Sequence, residues 1–211
     1  MSFKDALAWA DSKSVIEPRP SDMKVKIVLY GKEGTGKTAM AMRFAYGKFY
    51  PELHSTIGAS FNSKRVEVDG KILMLQLWDT AGSERFNSIM PVYLRSAKIV
   101  LICFDVPVIE EIEARIKKIH STVGDTVKIF LVVTKTDIST TNRISYEDVQ
   151  EYAAMNKYPL FYTSALNGLG IDELFTSVSR HALTLPPEED KPAAPISLDI
   201  ESTPKRTCCW S

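Results

Sequence analysis

The chain has 211 residues, and its 26 basic and 26 acidic side chains give a formal net charge of zero at neutral pH. This length suits one domain with a substantial apolar core, because a second full domain would have to be very small. The balanced charge excludes a global field that would attract nucleic acid or an anionic bilayer over a distance. We therefore expect no nucleic-acid partner and expect specific sites to carry the function; the chain is also expected to be a monomer.

The three cysteines suit no disulfide framework. Cys103 lies in an apolar run, whereas Cys208 and Cys209 lie close to the last residue. This distribution is typical of a reducing compartment and favours the cytosol.

The chain divides into three regions. Residues 1–22 lack the apolar stretch of a signal peptide, and no window reaches the roughly 18 to 20 apolar residues of a membrane span. We expect a flexible extension there, with a short amphipathic helix as the alternative. The folded domain is predicted at residues 23–185. Residues 186–211 are rich in proline and poor in large apolar side chains, which predicts a flexible tail.

Within the folded domain, strand-like and helical patterns alternate. The predicted strands cover residues 24–30, 60–68, 73–78, 99–104, 127–133 and 160–163. The predicted helices cover residues 37–46, 109–120, 146–156 and 171–183. This alternation predicts an α/β fold, with a six-stranded, mostly parallel sheet and helices on both faces. The Asp69-Gly70 turn predicts a hairpin, which makes residues 60–68 the one antiparallel edge strand.

A phosphate-binding motif stands between the first predicted strand and the first predicted helix. The sequence GKEGTGKT at residues 31–38 fits G-x-x-x-x-G-K-[ST] in that setting. The glycines allow backbone N–H groups to surround a phosphate, Lys37 neutralises its oxygens, and Thr38 offers a hydroxyl to Mg²⁺. The candidate phosphate-binding residues are Gly31, Glu33, Gly34, Thr35, Gly36, Lys37, Thr38 and Ala39. The motif alone leaves kinases, ATPases and GTPases open.

Two further segments resemble the switches of the Rab branch of Ras-like GTPases. WDTAGSERF at residues 78–86 matches WDTAGQERF of switch II at eight of nine positions, and HSTIGASF at residues 54–61 resembles switch I of early-endosomal members. The resemblance covers about residues 24–185 and implies a P-loop G domain. It implies that Thr56 contacts the γ-phosphate and Mg²⁺ only in the GTP state, that Asp79 holds Mg²⁺ through water, and that the Gly82 N–H reaches the γ-phosphate. Losing these contacts on hydrolysis would relax both switches.

The same resemblance implies a guanine site built from two degraded motifs. The first motif is TKTD at residues 134–137, which resembles N-K-x-D. The second is Ser164, Ala165 and Leu166, which resemble S-A-K. The Asp137 carboxylate can accept from guanine N1–H and the amino group, both of which adenine lacks, so we expect GTP rather than ATP. Lys135 would lie along the base. Phe49 would cover the other side of the base, with simple packing as the alternative.

Thr134 replaces the asparagine of the family motif. In the family that amide joins this loop to the phosphate loop and approaches guanine N7. We therefore predict weakened nucleotide affinity.

The hydrolytic residues also depart from the family pattern. Relatives use a glutamine after D-T-A-G to orient the attacking water, whereas this chain has Ser83, which is too short to reach the same position. Glu33 stands where the family carries a small residue, so its carboxylate would face the γ-phosphate or solvent. We expect catalysis to involve Lys37, Gly82 and Ser83, with slow intrinsic hydrolysis. The alternatives are an ordinary GTPase that tolerates both changes and a hydrolysis-deficient, nucleotide-bound adaptor.

The chain ends in CCWS, which matches the C-C-x-x endings that receive geranylgeranyl groups in Rab proteins. Prenylation of Cys208 and Cys209 is expected, with a single farnesyl group on Cys208 as the alternative. The resemblance implies exchange factors, GTPase-activating proteins, GDP dissociation inhibitor and effectors as partners, at the cytoplasmic face of endosomal or other vesicle membranes. The three histidines are scattered, so Mg²⁺ is the only metal expected.

Overall fold

A computed structural model describes residues 23–56, 58–82, 88–138 and 146–186. Its strands are β1 (Met23–Tyr30), β2 (Ala59–Val68), β3 (Lys71–Thr80), β4 (Ile99–Phe104), β5 (Lys128–Val133) and β6 (Leu160–Tyr162). Its helices are α1 (Lys37–Tyr46), α2 (Met90–Leu94), α3 (Ile109–Val123), α4 (Tyr146–Met155) and α5 (Ile171–Leu183). The N-terminal extension and nearly all of the predicted tail lie outside the described residues.

All six strands form one sheet in the order β2-β3-β1-β4-β5-β6. β1 pairs in parallel with both β3 and β4, and β5 pairs in parallel with β4 and β6. The pair of β2 and β3 is antiparallel, with Ser60 opposite Asp79. The hairpin turns through Asp69 and Gly70, both of which have positive φ. The predicted α/β sheet with one antiparallel edge strand is therefore confirmed.

Several predicted bounds were wrong by a few residues, and one helix was missed. β3 begins at Lys71 and ends at Thr80 rather than spanning 73–78, because pairing with β2 extends it in both directions. β5 begins one residue later than predicted and β6 ends one residue earlier, whereas α3 continues to Val123 and α4 ends at Met155. The missed helix α2 has only five residues, which is too few to show a helical period.

The core lies on both faces of the sheet. On one face, Ile27 and Leu29 of β1 pack with Met40 and Phe44 of α1 and with α5, where the rings of Phe44 and Phe175 stack with their centroids 3.6 Å apart. On the other face, side chains of β1, β4 and β5 pack against α2, α3 and α4. With helices fixed on both faces, the loops that follow β1, β3, β5 and β6 meet at the carboxyl edge of the sheet. None of the helices within the described ranges has the length and hydropathy that a membrane span needs.

Candidate functional site

A cleft of about 420 Å³ opens at the carboxyl edge of the sheet. Its walls come from the loops after β1, β3, β5 and β6 and from residues 49–56, which follow α1. Most of the residues predicted from the sequence meet in this cleft. Those that line it are Glu33, Gly34, Gly36, Lys37, Thr38, Ala39, Phe49, Thr56, Gly82, Thr134, Lys135, Asp137, Ala165 and Leu166.

The remaining described candidates support the cleft from behind. A Cβ added at Gly31 would lie 2.1 Å from the Cys103 carbonyl oxygen, so the start of the phosphate loop can lie this close to β4 only with glycine there. Thr35 is buried, and its hydroxyl donates to the Lys32 carbonyl at 2.9 Å. Ser164 is fully buried and reaches the cleft through Asp137. Ser83 lies outside the described residues.

The phosphate loop curls because Gly34 and Gly36 adopt φ values of 78° and 82°, which L side chains rarely tolerate. Lys37 begins α1, and only 5% of its surface is exposed. Its Nζ donates to the carbonyls of Gly31 at 2.9 Å and Lys32 at 2.7 Å. Burial lowers the pKa of Lys37, while the charge of Asp79 opposes that shift. The ammonium is thus held at the loop, where an anionic ligand would compensate its burial.

Hydroxyl and carboxylate oxygens cluster beside Lys37. The Thr38 hydroxyl donates to Asp79 Oδ2 at 2.7 Å and lies 2.9 Å from the Thr56 hydroxyl. Ser60 also donates to Asp79 Oδ2, at 3.3 Å. Sequence reasoning missed Ser60, although the register of the predicted hairpin could have placed it opposite Asp79.

Asp79 is fully buried, and its second oxygen, Oδ1, has no hydrogen-bond partner among the described residues. Burial raises the pKa of Asp79, whereas the hydrogen bond from Thr38 and the charge of Lys37 lower it. An unsatisfied buried carboxylate oxygen beside two hydroxyls fits a hard cation such as Mg²⁺. The described part of the chain contains no group of three His, Cys, Asp or Glu residues that could hold a metal by themselves. Mg²⁺ at this cluster would therefore complete its coordination with water and phosphate oxygens.

Gly82 brings the segment after β3 directly onto the phosphate loop. A Cβ at this position would lie 2.1 Å from the Glu33 nitrogen and 2.2 Å from the Lys32 carbonyl carbon. Glu33 is exposed to solvent and also lines the cleft. Lys32 points away from the cleft and pairs with Glu111 on α3. Lys37 is therefore the lysine of this loop that faces the cleft.

The opposite end of the cleft contains the predicted base site. The Ser164 hydroxyl donates to Asp137 Oδ1 and fixes the orientation of that carboxylate. The side chain of Lys135 runs over Gly36, with its Cε 3.6 Å from the position of a Cβ there, and its Nζ lies 3.2 Å from Asp105 Oδ2. Asp137 and Lys135 thus line one end of the cleft while the phosphate loop lines the other.

Thr134 connects this end of the cleft to the phosphate loop without the amide of the family motif. The Thr134 hydroxyl donates to the Thr35 carbonyl at 2.6 Å and lies 3.1 Å from the Phe104 carbonyl. The short threonine side chain reaches the phosphate loop because the two loops approach closely. The connection is therefore present, but it is made by a hydroxyl instead of an amide.

Some cleft residues were not predicted. They are Met40, Tyr50, Pro51, Leu53, His54, Ser55, Thr80, Ile138 and Thr163. Residues 50–53 form no helix or strand and match no motif, so the sequence offered no signal for them, whereas His54 and Ser55 begin the segment that resembles switch I. Thr80 and Thr163 lie at or just beyond the ends of β3 and β6, a position that could have indicated them.

The fold and the cleft together define a phosphate-loop nucleotide-binding domain. Comparison with known proteins agrees, because residues 26–184 match the model of the Ras family. Ras-related protein Rab-21 of Geodia cydonium is 34% identical over 172 residues, which cover 80% of this chain and 75% of that protein. GTP-binding protein YPT1 of Saccharomyces cerevisiae is 35% identical over 162 residues, which cover 75% of this chain and 79% of that protein. Ras-related protein Rab-13 of Rattus norvegicus is 32% identical over 190 residues, which cover 88% of this chain and 94% of that protein. The chain belongs to the Rab branch of the Ras family of small GTPases.

Proposed function

We propose that this chain is a Mg²⁺-dependent switch in vesicular membrane traffic that recruits effectors in its GTP state. One observation carries the proposal. The hydroxyl of Thr56, from the segment after α1, lies 2.9 Å from the Thr38 hydroxyl of the phosphate loop and 3.5 Å from Asp79 Oδ2. A surface segment that shares one oxygen cluster with the phosphate loop responds to the charge bound there. Loss of the terminal phosphate would therefore change the surface that partners contact.

The proposed arrangement of GTP follows the two ends of the cleft. The phosphates would lie on the loop of residues 31–38, where backbone N–H groups, the start of α1 and the Lys37 ammonium all favour negative charge. Thr38 and Thr56 would hold Mg²⁺ directly and Asp79 through water. When bound, Mg²⁺ neutralises charge that develops on the phosphate oxygens during hydrolysis. The guanine would meet Asp137, which is already oriented by Ser164.

We infer that intrinsic hydrolysis is slow. Ser83 occupies the position where relatives carry the glutamine that orients water, and its side chain is shorter by several bonds. Glu33, which is exposed and lines the cleft, adds negative charge near the expected γ-phosphate. The same two residues support a second candidate function, a nucleotide-bound membrane adaptor that no longer turns GTP over.

The proposed location is the cytoplasmic face of endosomal or other vesicle membranes, reached through prenyl groups on Cys208 and Cys209. Two isoprenoid chains give stable anchoring, whereas one chain without a basic patch binds marginally. The proposed partners are an exchange factor, a GTPase-activating protein, GDP dissociation inhibitor and effectors. Imaging of the tagged full chain tests this proposal. Membrane signal should be lost in a Cys208→Ser, Cys209→Ser double variant, and an unchanged distribution would contradict it.

Single-turnover GTP hydrolysis with Mg²⁺ tests the switch. We expect Ser83→Gln to raise the rate by roughly 10²-fold, the scale of a misplaced reacting group. Ser88→Gln makes the same change at an exposed position and should leave the rate unchanged. A wild-type rate as high as that of Ser83→Gln would contradict slow hydrolysis. Candidate activating proteins separate the two functions, because they accelerate phosphate release from a cycling GTPase and have no effect on an adaptor.

A further inference from the structure

The carbonyl group of Lys32 lies among several groups of the phosphate site. Lys37 Nζ donates to this carbonyl at 2.7 Å, and the Thr35 hydroxyl donates to it at 2.9 Å. A Cβ added at Gly82 would lie 2.2 Å from the carbonyl carbon and 2.5 Å from the carbonyl oxygen. A shift of this peptide would therefore change the positions of Lys37 and Gly82 relative to each other, and both are proposed to contact phosphate.

The side chain of Lys32 leaves the cleft and is held on α3. Its ammonium pairs with Glu111 in the first turn of that helix. Glu111 is itself held, because Arg115 Nη1 donates to its carbonyl at 3.1 Å and to its carboxylate Oε2 at 3.3 Å. Only 18% of the Arg115 side chain is exposed. A lone surface ion pair contributes little, but a network that includes a mostly buried arginine fixes the geometry of its members.

The charges of these side chains support the same arrangement. The hydrogen bond from Lys32 is the main cause that lowers the pKa of Glu111, so this carboxylate stays ionised. Burial is the main cause that lowers the pKa of Lys37, and the positive charge of Arg115 adds to that shift. The Arg115 guanidinium therefore lies within electrostatic reach of the phosphate loop. By accepting from both Lys32 and Arg115, Glu111 holds together two like charges that would otherwise repel each other.

We propose that Glu111 is a positioning residue for the bound nucleotide. It acts through Lys32, because holding that side chain on α3 sets the position of the loop peptide beside Lys37 and Gly82. Glu111 is not among the described residues that line the cleft, so it acts without touching the nucleotide. The inference rests on the proposed placement of the phosphates on residues 31–38 and adds a residue outside the cleft that determines how firmly they are held.

The rate at which nucleotide leaves the full-length chain tests this proposal. Fluorescent GDP and a fluorescent, non-hydrolysable GTP analogue are each displaced by excess unlabelled nucleotide in the presence of Mg²⁺. Glu111→Gln removes the charge and keeps the shape, whereas Lys32→Met keeps the aliphatic stem and removes the ammonium. We expect each variant to release both nucleotides roughly two- to fivefold faster, the effect of one ion pair at a partly exposed position.

The sign of the Glu111→Gln effect separates positioning from a simple electrostatic effect. Removing a negative charge near an anionic ligand would by itself slow the release of that ligand. Positioning through Lys32 predicts faster release instead. The control is Glu113→Gln, which removes a carboxylate from the same helix, where it pairs with Lys117 at 3.9 Å. This control should leave both rates unchanged.

A double variant tests whether the two side chains act through their contact. If they do, Lys32→Met combined with Glu111→Gln should release nucleotide no faster than the faster of the two single variants. A rate increase equal to the product of the two single effects would show that they act independently and would contradict the inference. The Lys32→Met result also decides the question if Glu111→Gln fails to fold, because unchanged release from Lys32→Met would contradict the inference as well.

The remaining outcomes separate this inference from the proposed function. Slower or unchanged release from a folded Glu111→Gln variant would overturn the inference alone. An equal acceleration by Glu113→Gln would also overturn it, because the effect would then not depend on Lys32. Failure of the wild-type chain to bind GDP or the GTP analogue at all would overturn the proposed function together with the inference.

Discussion

Replacing Gly82 by alanine tests how closely the segment after β3 must approach the phosphate loop. The added Cβ would lie 2.1 Å from the Glu33 nitrogen and 2.5 Å from the Lys32 carbonyl oxygen. Favourable contacts begin near 3.5 Å, so the two segments must separate by roughly 1 Å or more. Overpacking of this kind costs about 1–3 kcal/mol. The proposed contact between the Gly82 N–H and the γ-phosphate cannot survive such a movement.

GTP should be affected more than GDP, because only GTP has the phosphate that Gly82 would contact. We expect the ratio of GTP affinity to GDP affinity to fall by roughly 5- to 150-fold, the equivalent of that cost. Displacement of a fluorescent GDP by GDP and by a non-hydrolysable GTP analogue measures both affinities. Gly47→Ala is the control, since nothing lies within 4 Å of its added Cβ and its φ is 71°. It should lower stability by about 1 kcal/mol without changing the ratio. An unchanged ratio in Gly82→Ala would refute the reasoning.

Three other changes probe the base site, the core and a titrating group. Asp137→Asn replaces one acceptor oxygen by an amide donor. Nucleotide affinity should therefore shift from GDP towards XDP, whose base has a carbonyl in place of the amino group. Binding titrations with both nucleotides check this. Phe44→Ala removes the stack on Phe175 and should cost about 3–5 kcal/mol in denaturant unfolding, whereas Phe61→Ala, at a residue that is 52% exposed, should cost about 1 kcal/mol. Burial lowers the pKa of His181 below its ordinary value of 6.5. As the pH falls, His181 is therefore protonated in the unfolded chain before it is protonated in the folded chain. The free energy of unfolding consequently decreases as the pH drops below 6.5. His181→Gln should flatten that fall in Tm, and an equally steep decline would show that other groups cause it.

The parts of the fold that local patterns determine were predictable from the sequence. The Asp-Gly turn gave the β2–β3 hairpin because that dipeptide accommodates the two positive φ values that the turn requires. The order of the strands was not predicted, since it depends on contacts between residues far apart in the chain. Helix α2 was missed because five residues cannot show a period, although Pro91 at its start is typical of a helix N-terminus.

The residues of the site likewise divide into those that a local motif predicts and those that depend on contacts between distant parts of the chain. Glycines, Lys37 and Thr38 follow one another in a motif, so their shared role was visible from the spacing. The Thr134 connection was not, because it joins residues 99 positions apart and depends on how closely two loops approach. The prediction of weakened nucleotide affinity stays a prediction, although the connection between the two loops is kept.

The most direct measurement is the identity of the nucleotide that accompanies the purified, full-length chain. Protein prepared with Mg²⁺ and then denatured should release a stoichiometric amount of GDP or GTP, and Lys37→Ala protein prepared in parallel should release far less. Release of no guanine nucleotide, combined with failure of the wild-type chain to take up GDP or GTP in a titration with Mg²⁺, would contradict the account at its base.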